Sequence, residues 1–426
     1  MTMLVPEAPL DAYRSDLARD KTREDFGGAD TVWLLTAHCL SRIGRASVQD
    51  VPTLGNQCAS ALRDFTEPST DGTPTPEAEI SDLLLVVEGF NSFQSRSGAD
   101  ALINGVRGMA TRMADAGALS MAYTAVALTR TAAAHGSDRE RGLLTADQAM
   151  VARLIGDLDA AEELYRASES IGERSGDMMV LARSYVGRGV VDRVRGNYPR
   201  SRVFFERALE LSETVQARDL MRLAHQGLTI CHAVARNFDR GLQHGWATFQ
   251  LADNHLGREV EALTNLAQLC LDSGFPAAAL RGYAAVLGRG VSPRVALSAL
   301  GGASMAAAQA GEAAVLARAA AEITARVSTS ALPYENAQAL YQLAIAYESV
   351  GDAAHRDEFL GRARKIAKAR GFFELLHKTD QDLVARAAKP AAVAASLSRT
   401  SQNVVASLSD FDVGEAGELL ALTRQA

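Results

Sequence analysis

Aromatic residues make up only 6% of this 426-residue chain, with two tryptophans. The side chains that favour strands are correspondingly thin, which excludes a large β-sheet core. Four cysteines, Cys39, Cys58, Cys231 and Cys270, show no C-x-x-C spacing. They read as small apolar fillers in a reducing compartment, not as a disulfide or zinc framework. No apolar run reaches the roughly 20 residues of a spanning helix. The opening MTMLVPEAPLDAY has neither a charged leader nor an apolar signal core, so the expectation is a cytoplasmic protein that does not enter a membrane. Basic residues are outnumbered, 44 Lys and Arg against 51 Asp and Glu, for a net charge of −7. That excludes a general nucleic-acid-binding face, which must displace counterions from phosphates.

Catalytic motifs are missing too. There is no G-x-x-x-x-G-K-[ST], no G-x-S-x-G and no H-E-x-x-H, so phosphate cradles, nucleophile elbows and helical zinc sites lack their sequence supports. The glycines of Gly187-Arg188-Gly189 lie inside a helix and serve packing. The expectation is a protein without cofactor, metal or catalytic residues.

What is present is alanine and periodicity. Runs such as AAVLARAAAE and TRTAAAH carry much of the 47% hydrophobic content, and alanine is the strongest helix former. GDLDAAEELYRASES from Gly156 and GNYPRSRVFFERALE from Gly196 repeat one design, a polar turn opening at Gly and then a helix. The same turn recurs at Gly117, Gly156, Gly196, Arg236, Gly274, Gly311 and Gly351, at intervals of 39, 40, 40, 38, 37 and 40 residues. Near-constant spacing means each hairpin presents the same surface to the next. Small residues should face each other across the paired helices: Gly189 near Arg200 and Ser201, Ala267 with Ala279, Ala110 with Ala122, Ala149 with Ala161. Bulky positions follow at Leu263, Leu266 and Cys270, and at Leu340, Leu343 and Tyr347. Two units depart. Arg236-Asn237 replaces the turn glycine, and the unit around Gly311, with GGAS at 301–304, should have a thin, mobile core.

In chain order, residues 1–66 form a small helical bundle (about Ala8–Arg23, Thr31–Arg45 and Val48–Phe65), and the Pro- and Gly-rich 67–76 is a linker. Residues 77–388 hold the helical hairpins, closed by a capping helix over Phe372–Leu383. The tail 389–426 has weak apolar clusters at Val404–Phe411 and Leu419–Leu422, and either folds back on the array or stays mobile.

Tyr185, Gly189, Gly196, Tyr198, Phe205 and Ala208 fall near the signature positions of the tetratricopeptide (TPR) repeat, and the chain from about Asp100 to Leu383 resembles that family. The period, longer than the usual 34 or so, is similar to that of bacterial regulators of the MalT type and of RRNPP-type peptide sensors. The order of bundle, linker and hairpins resembles the Rap group. The resemblance implies an all-α fold, a right-handed α-solenoid of TPR-like hairpins, and a protein or peptide ligand on the inner wall built by first-helix positions. Those positions are Arg183, Val186 and Arg193, then Gln226, then Glu261, Asn265 and Gln268, then Gln338, Tyr341 and Gln342. Asn265 matches the place where peptide-binding TPRs bond a ligand backbone. Arg183 and Arg193 suit a carboxylate. The implied function is a non-enzymatic binding scaffold or regulator, or else a peptide-responsive sensor coupling the superhelix to the bundle. A homo-oligomer through the alanine-rich end or the tail stays open.

The densest histidine region is His225, His232, His244 and His255 with Cys231, and His225 and His232, seven residues apart, share a helix face two turns apart, too far for one metal ion without help from another element. Glu162, Glu163, Asp157 and Asp159 read as helix-start charges and solvated surface.

Overall fold

Turns of one design join the paired helices in the computed structural model of this chain. It describes residues 85–92, 95–115, 119–132, 136–291, 293–329, 333–370, 375–376 and 397–411. The bundle over 1–66, the linker at 67–76, the turn at Gly117, most of the capping helix and Leu419–Leu422 lie outside the described residues. Among the described residues every regular element is an α-helix.

The chain divides into two compact units at Leu220/Met221. The first contains a helical stretch over 85–91 and then α1 (Arg96–Asp115), α2 (Leu119–Ala132), α3 (Asp138–Ile155), α4 (Leu158–Ser175), α5 (Met178–Val194) and α6 (Tyr198–Thr214). The division falls within α7 (Arg218–Val234). The second unit continues with α8 (Phe238–Gln250), α9 (Leu256–Asp272), α10 (Pro276–Leu287), α11 (Pro293–Ala310), α12 (Ala313–Thr329), α13 (Pro333–Ser349), α14 (Ala353–Arg370) and α15 (Arg399–Ser409).

Every repeat turn in these residues adopts the left-handed conformation, from φ +55° at Arg236 to +99° at Gly156. The following N–H then reaches back to the carbonyl five residues earlier: Asp157 to Ala152, Asn197 to Asp192, Asn237 to His232, Phe275 to Cys270, Glu312 to Ala307 and Asp352 to Tyr347, all at 2.8–3.0 Å. This satisfies the carbonyls that a helix end leaves open. Glycine has no Cβ to clash there, and Arg236 holds the same conformation with one. The next residue starts the second helix: Asp157, Asn197, Asn237 and Asp352 each accept a backbone N–H three residues on. The turn thus stops one helix and caps the next within two residues.

Packing follows from small residues. Ala149 and Ala161 share one core cluster, Ala110 and Ala122 another, and Ala267 and Ala279 a third. Ser201 donates to the Gly189 carbonyl at 2.8 Å, as their proximity in the repeat implied. Gly187 receives the ring of Tyr165: a Cβ there would lie 2.0 Å from it. Leu263, Leu266, Cys270, Leu340 and Leu343 are buried, and Tyr347 packs beside them.

The thin core expected around Gly311 is not what forms. Gly301 and Gly302 are sockets, because a Cβ on Gly302 would strike the Tyr283 ring at 2.2 Å and one on Gly301 the Gln342 amide at 2.1 Å. Neighbouring hairpins supply the volume that the alanine-rich helix lacks. The tail folds back along 397–411: Leu397, Val404 and Leu408 join the core of the second unit. Leu375 packs with Ala337 and Ala367.

Candidate functional site

On the first-helix side of the second unit, the N-terminal halves of α9, α11 and α13 leave an open groove of about 720 Å³. Helix α9 turns Leu263, Leu266, Ala267 and Cys270 into the core. Helical periodicity therefore leaves Leu256, Glu261, Thr264 and Asn265 on the other side. The segment before α11 adds Gly290 and Val291, α11 adds Arg294, Val295 and Ser298, and α13 adds Tyr334, Glu335 and Gln338. Position 294 corresponds to 334, and 298 to 338, one repeat of 40 apart. The groove is one patch of the repeat, presented more than once.

Its floor is aliphatic and its walls are polar. Arg294 pairs with Glu335 at 2.8 Å. Glu261 accepts from the Gln226 amide at 2.5 Å. Thr264 turns its hydroxyl onto the Val260 carbonyl at 2.7 Å. Among the described residues, no hydrogen bond engages the amides of Asn265 or Gln338. A cleft with an apolar floor and two uncommitted amides suits a peptide backbone, which offers N–H and C=O groups along an extended run.

The residues expected on the inner wall therefore separate. Asn265 and Gln338 come together in the groove, and Gln226 stands beside it through Glu261. Gln268 instead accepts from the buried Tyr283 hydroxyl and donates to Asp272, both at 2.9 Å. Tyr341 packs against the core, and Gln342 fills the space over Gly301 with its amide oxygen buried and without a hydrogen bond. These three sit nearer the turns, outside the groove. In the first unit Val186 is buried, and Arg193 is half-buried in the last turn of α5.

Arg183 does meet a carboxylate, but its own chain supplies it. Asp147 on α3 receives Arg183 at 2.9 Å and Arg107 from α1 at 2.6 Å, and Arg107 also reaches Glu140 at 3.0 Å. Burial opposes ionisation of Asp147, yet the two guanidinium groups outweigh it and hold the carboxyl below the usual range. Glu162 also departs from the sequence reading. It is 7% exposed and lies within ion-pair reach of Arg166, Arg188 and Arg200 at 3.0, 3.3 and 3.7 Å. Asp157 caps α4, and Asp159 is fully solvated beside Arg195. Successive first helices in this unit are thus tied by charge.

A ring from the neighbouring helix joins the two histidines of α7. His244 on α8 places its Nδ1 2.9 Å from that of His225 and stacks on His232 at 5.4 Å. Burial, then the neighbouring His225, His232 and Arg240, push His244 down to about 4, and burial lowers His225. His225 and His244 are kept neutral at pH 7. Among the described residues no group of three or more His, Cys, Asp and Glu side chains is disposed to hold a metal ion. Burial raises the Cys270 thiol to about 12, and Cys231 is buried as well. Among the described residues no helix is long and apolar enough to cross a membrane.

No protein-family model matches this chain, and no curated protein matches it. Solved structures match in fold. A Signal Transduction ATPase with Numerous Domains carrying a tetratricopeptide repeat sensor, from Pyrococcus horikoshii, superposes with a TM-score of 0.51 at 14% identity, covering 79% of this chain and 55% of that one. This chain therefore spans little more than half the length of that ATPase. Aspartyl phosphate phosphatase F from Bacillus subtilis superposes at 0.50 with 10% identity, over 81% and 95% of the two chains. A Rap protein complexed with competence and sporulation factor does so at 0.50 with 10% identity, over 80% and 98%. The fold is an all-α solenoid of TPR-like hairpins.

Proposed function

We propose that this chain is a non-enzymatic regulator that binds a protein or peptide segment, and that the segment lies extended across α9, α11 and α13. The observation that carries the reading is the pair of unengaged amides, Asn265 and Gln338, on the walls of a cleft floored by Val260, Val291 and Val295. An apolar floor takes alternate side chains while the amides bond the backbone between them, and a pre-formed array loses little entropy on binding. The fold-level neighbours support it: one is an ATPase that carries a repeat sensor and another is complexed with a factor. The net charge of −7 disfavours nucleic acid as the ligand. The buried thiols suit a cytoplasmic, reducing setting.

The test is selection of a displayed random 12-residue peptide library on the full-length protein, followed by affinity measurement on Asn265→Ala and Val291→Trp. Val291 is half-buried at the edge of the core and lines the cleft, so a tryptophan there takes up the cleft's volume. Enriched peptides should lose about tenfold on Asn265→Ala, the loss of one or two backbone hydrogen bonds, and should not bind Val291→Trp. Unchanged affinity for Val291→Trp overturns the site.

A further inference from the structure

The tail helix α15 raises a separate question of recognition. It has 11 residues, short of the roughly 12–15 at which an isolated helix becomes even marginal. Docking is therefore what orders it. It lies across the second helices α8 and α10, away from the groove described above. The Ser398 N–H donates to Asp239 Oδ1 at 2.8 Å, the Ser401 hydroxyl donates to the Asp239 carbonyl at 2.9 Å, and Arg281 donates to the Phe411 carbonyl at 2.8 Å. Leu408 is fully buried in the core of the second unit and passes close to Gly282. Phe411 meets the Phe249 ring edge-on at 5.3 Å. The remaining face, Arg399, Thr400, Gln402 and Asn403, is exposed.

This is the geometry of an amphipathic helix laid in a groove, with the ligand supplied by the same chain. Twenty-eight residues, 371–398, separate it in sequence from the end of α14, so no short connector dictates the docking. We propose that the α8/α10 face is an exchangeable helix-docking site. Residues 397–411 occupy it in cis, and an amphipathic helix of a partner protein takes it when they leave. That partner helix carries a serine N-cap and aliphatic side chains spaced as Leu397, Val404 and Leu408.

A labelled synthetic peptide of residues 396–412 tests this on full-length protein. In Leu408→Asp, and separately in Val404→Asp, the cis helix is disabled while α8 and α10 are untouched. A tethered helix competes at an effective concentration of order millimolar, so for a site of about 10 µM the peptide should bind both variants about 100-fold more tightly than the wild type. A peptide carrying the Leu408→Asp change should bind none of the three. Equal affinity for wild type and variants overturns the proposal. So does failure of the peptide to bind either variant while helical circular dichroism and melting are retained. Loss of cooperative melting in both variants overturns it as well, because a separable helix cannot carry the fold.

Discussion

Replacing Asp147 by Asn tests whether charge ties the first helices of the first unit together. The substitution keeps the shape and removes the one carboxylate that Arg107 and Arg183 share, at 2.6 and 2.9 Å, in a side chain only 6% exposed. Breaking a fully buried pair by deleting one partner costs about 3–5 kcal/mol, because the other charge is stranded. Here both arginines retain some solvent, with about a fifth of each side chain exposed, and Arg107 keeps Glu140. A cost of about 2–3 kcal/mol is expected after that discount. Arg183→Met leaves Asp147 with Arg107 and should cost less, and the double variant should recover about 1 kcal/mol or more as coupling. The cost is local to the first unit, so the measurement is native-state hydrogen exchange at the α3 and α5 amides. The pH dependence supplies a second check. The folded pKa of Asp147 lies below its unfolded value of about 3.8, so its contribution is complete above that pH and is lost as pH falls through the lower folded value. The gap between wild type and Asp147→Asn should be constant from pH 7 to about 5 and begin to narrow below about pH 4. An opening free energy within about 0.5 kcal/mol of wild type at pH 7, or a gap that does not narrow as pH falls below about 4, refutes the reasoning.

Gly196→Ala and Gly187→Ala separate two roles of glycine. Nothing lies within 4 Å of a Cβ at Gly196, so its cost is the left-handed backbone alone, about 1 kcal/mol, whereas at Gly187 the Cβ would strike Tyr165 and overpacking should cost about 2–3 kcal/mol. Thermal melts rank them, and equal shifts would contradict the packing account. Arg236→Gly relieves the non-glycine turn and should raise the melting temperature of the second unit, while a fall would mean that the Arg236 contact with the Phe238 ring, 5.5 Å to the centroid, dominates. The folded pKa of His244 is depressed from about 6.5 to about 4. Its contribution to stability is therefore complete above pH 6.5 and is lost as pH falls toward 4, by about 2 kcal/mol once partial exposure is discounted. His244→Gln should flatten the melting temperature against pH across that interval, and an unchanged slope would sink the assignment.

How much of this was legible depended on distance along the chain. The turns were readable because each is a local event in which one residue adopts positive φ and the next caps a helix. Arg236 was located by interval alone and does adopt the turn conformation. Asn265 and Gln338, expected on the inner wall from repeat register, do line the groove, whereas Arg294, Tyr334 and Glu335 line it at positions that no step of the repeat from the expected residues reaches. Gln268 and Gln342 misled because polarity on a first helix does not say whether a neighbouring hairpin will engage it. Arg183 was assigned the right chemistry and the wrong source of carboxylate, since Asp147 lies 36 residues earlier.

The sequence by itself determined the helices, the stops between them and the near-40-residue period, because capping, propensity and glycine conformation act within a few residues. Tertiary structure alone decided which polar side chains became partners, which glycines became sockets for Tyr283 and Gln342, and that the tail returned to α8 and α10. Those outcomes depend on what the next hairpin, or a segment some 155 residues away such as Ser398 beside Gln243, brings to the same point in space. Periodicity fixes that a surface repeats, and only packing selects which side chains remain free upon it.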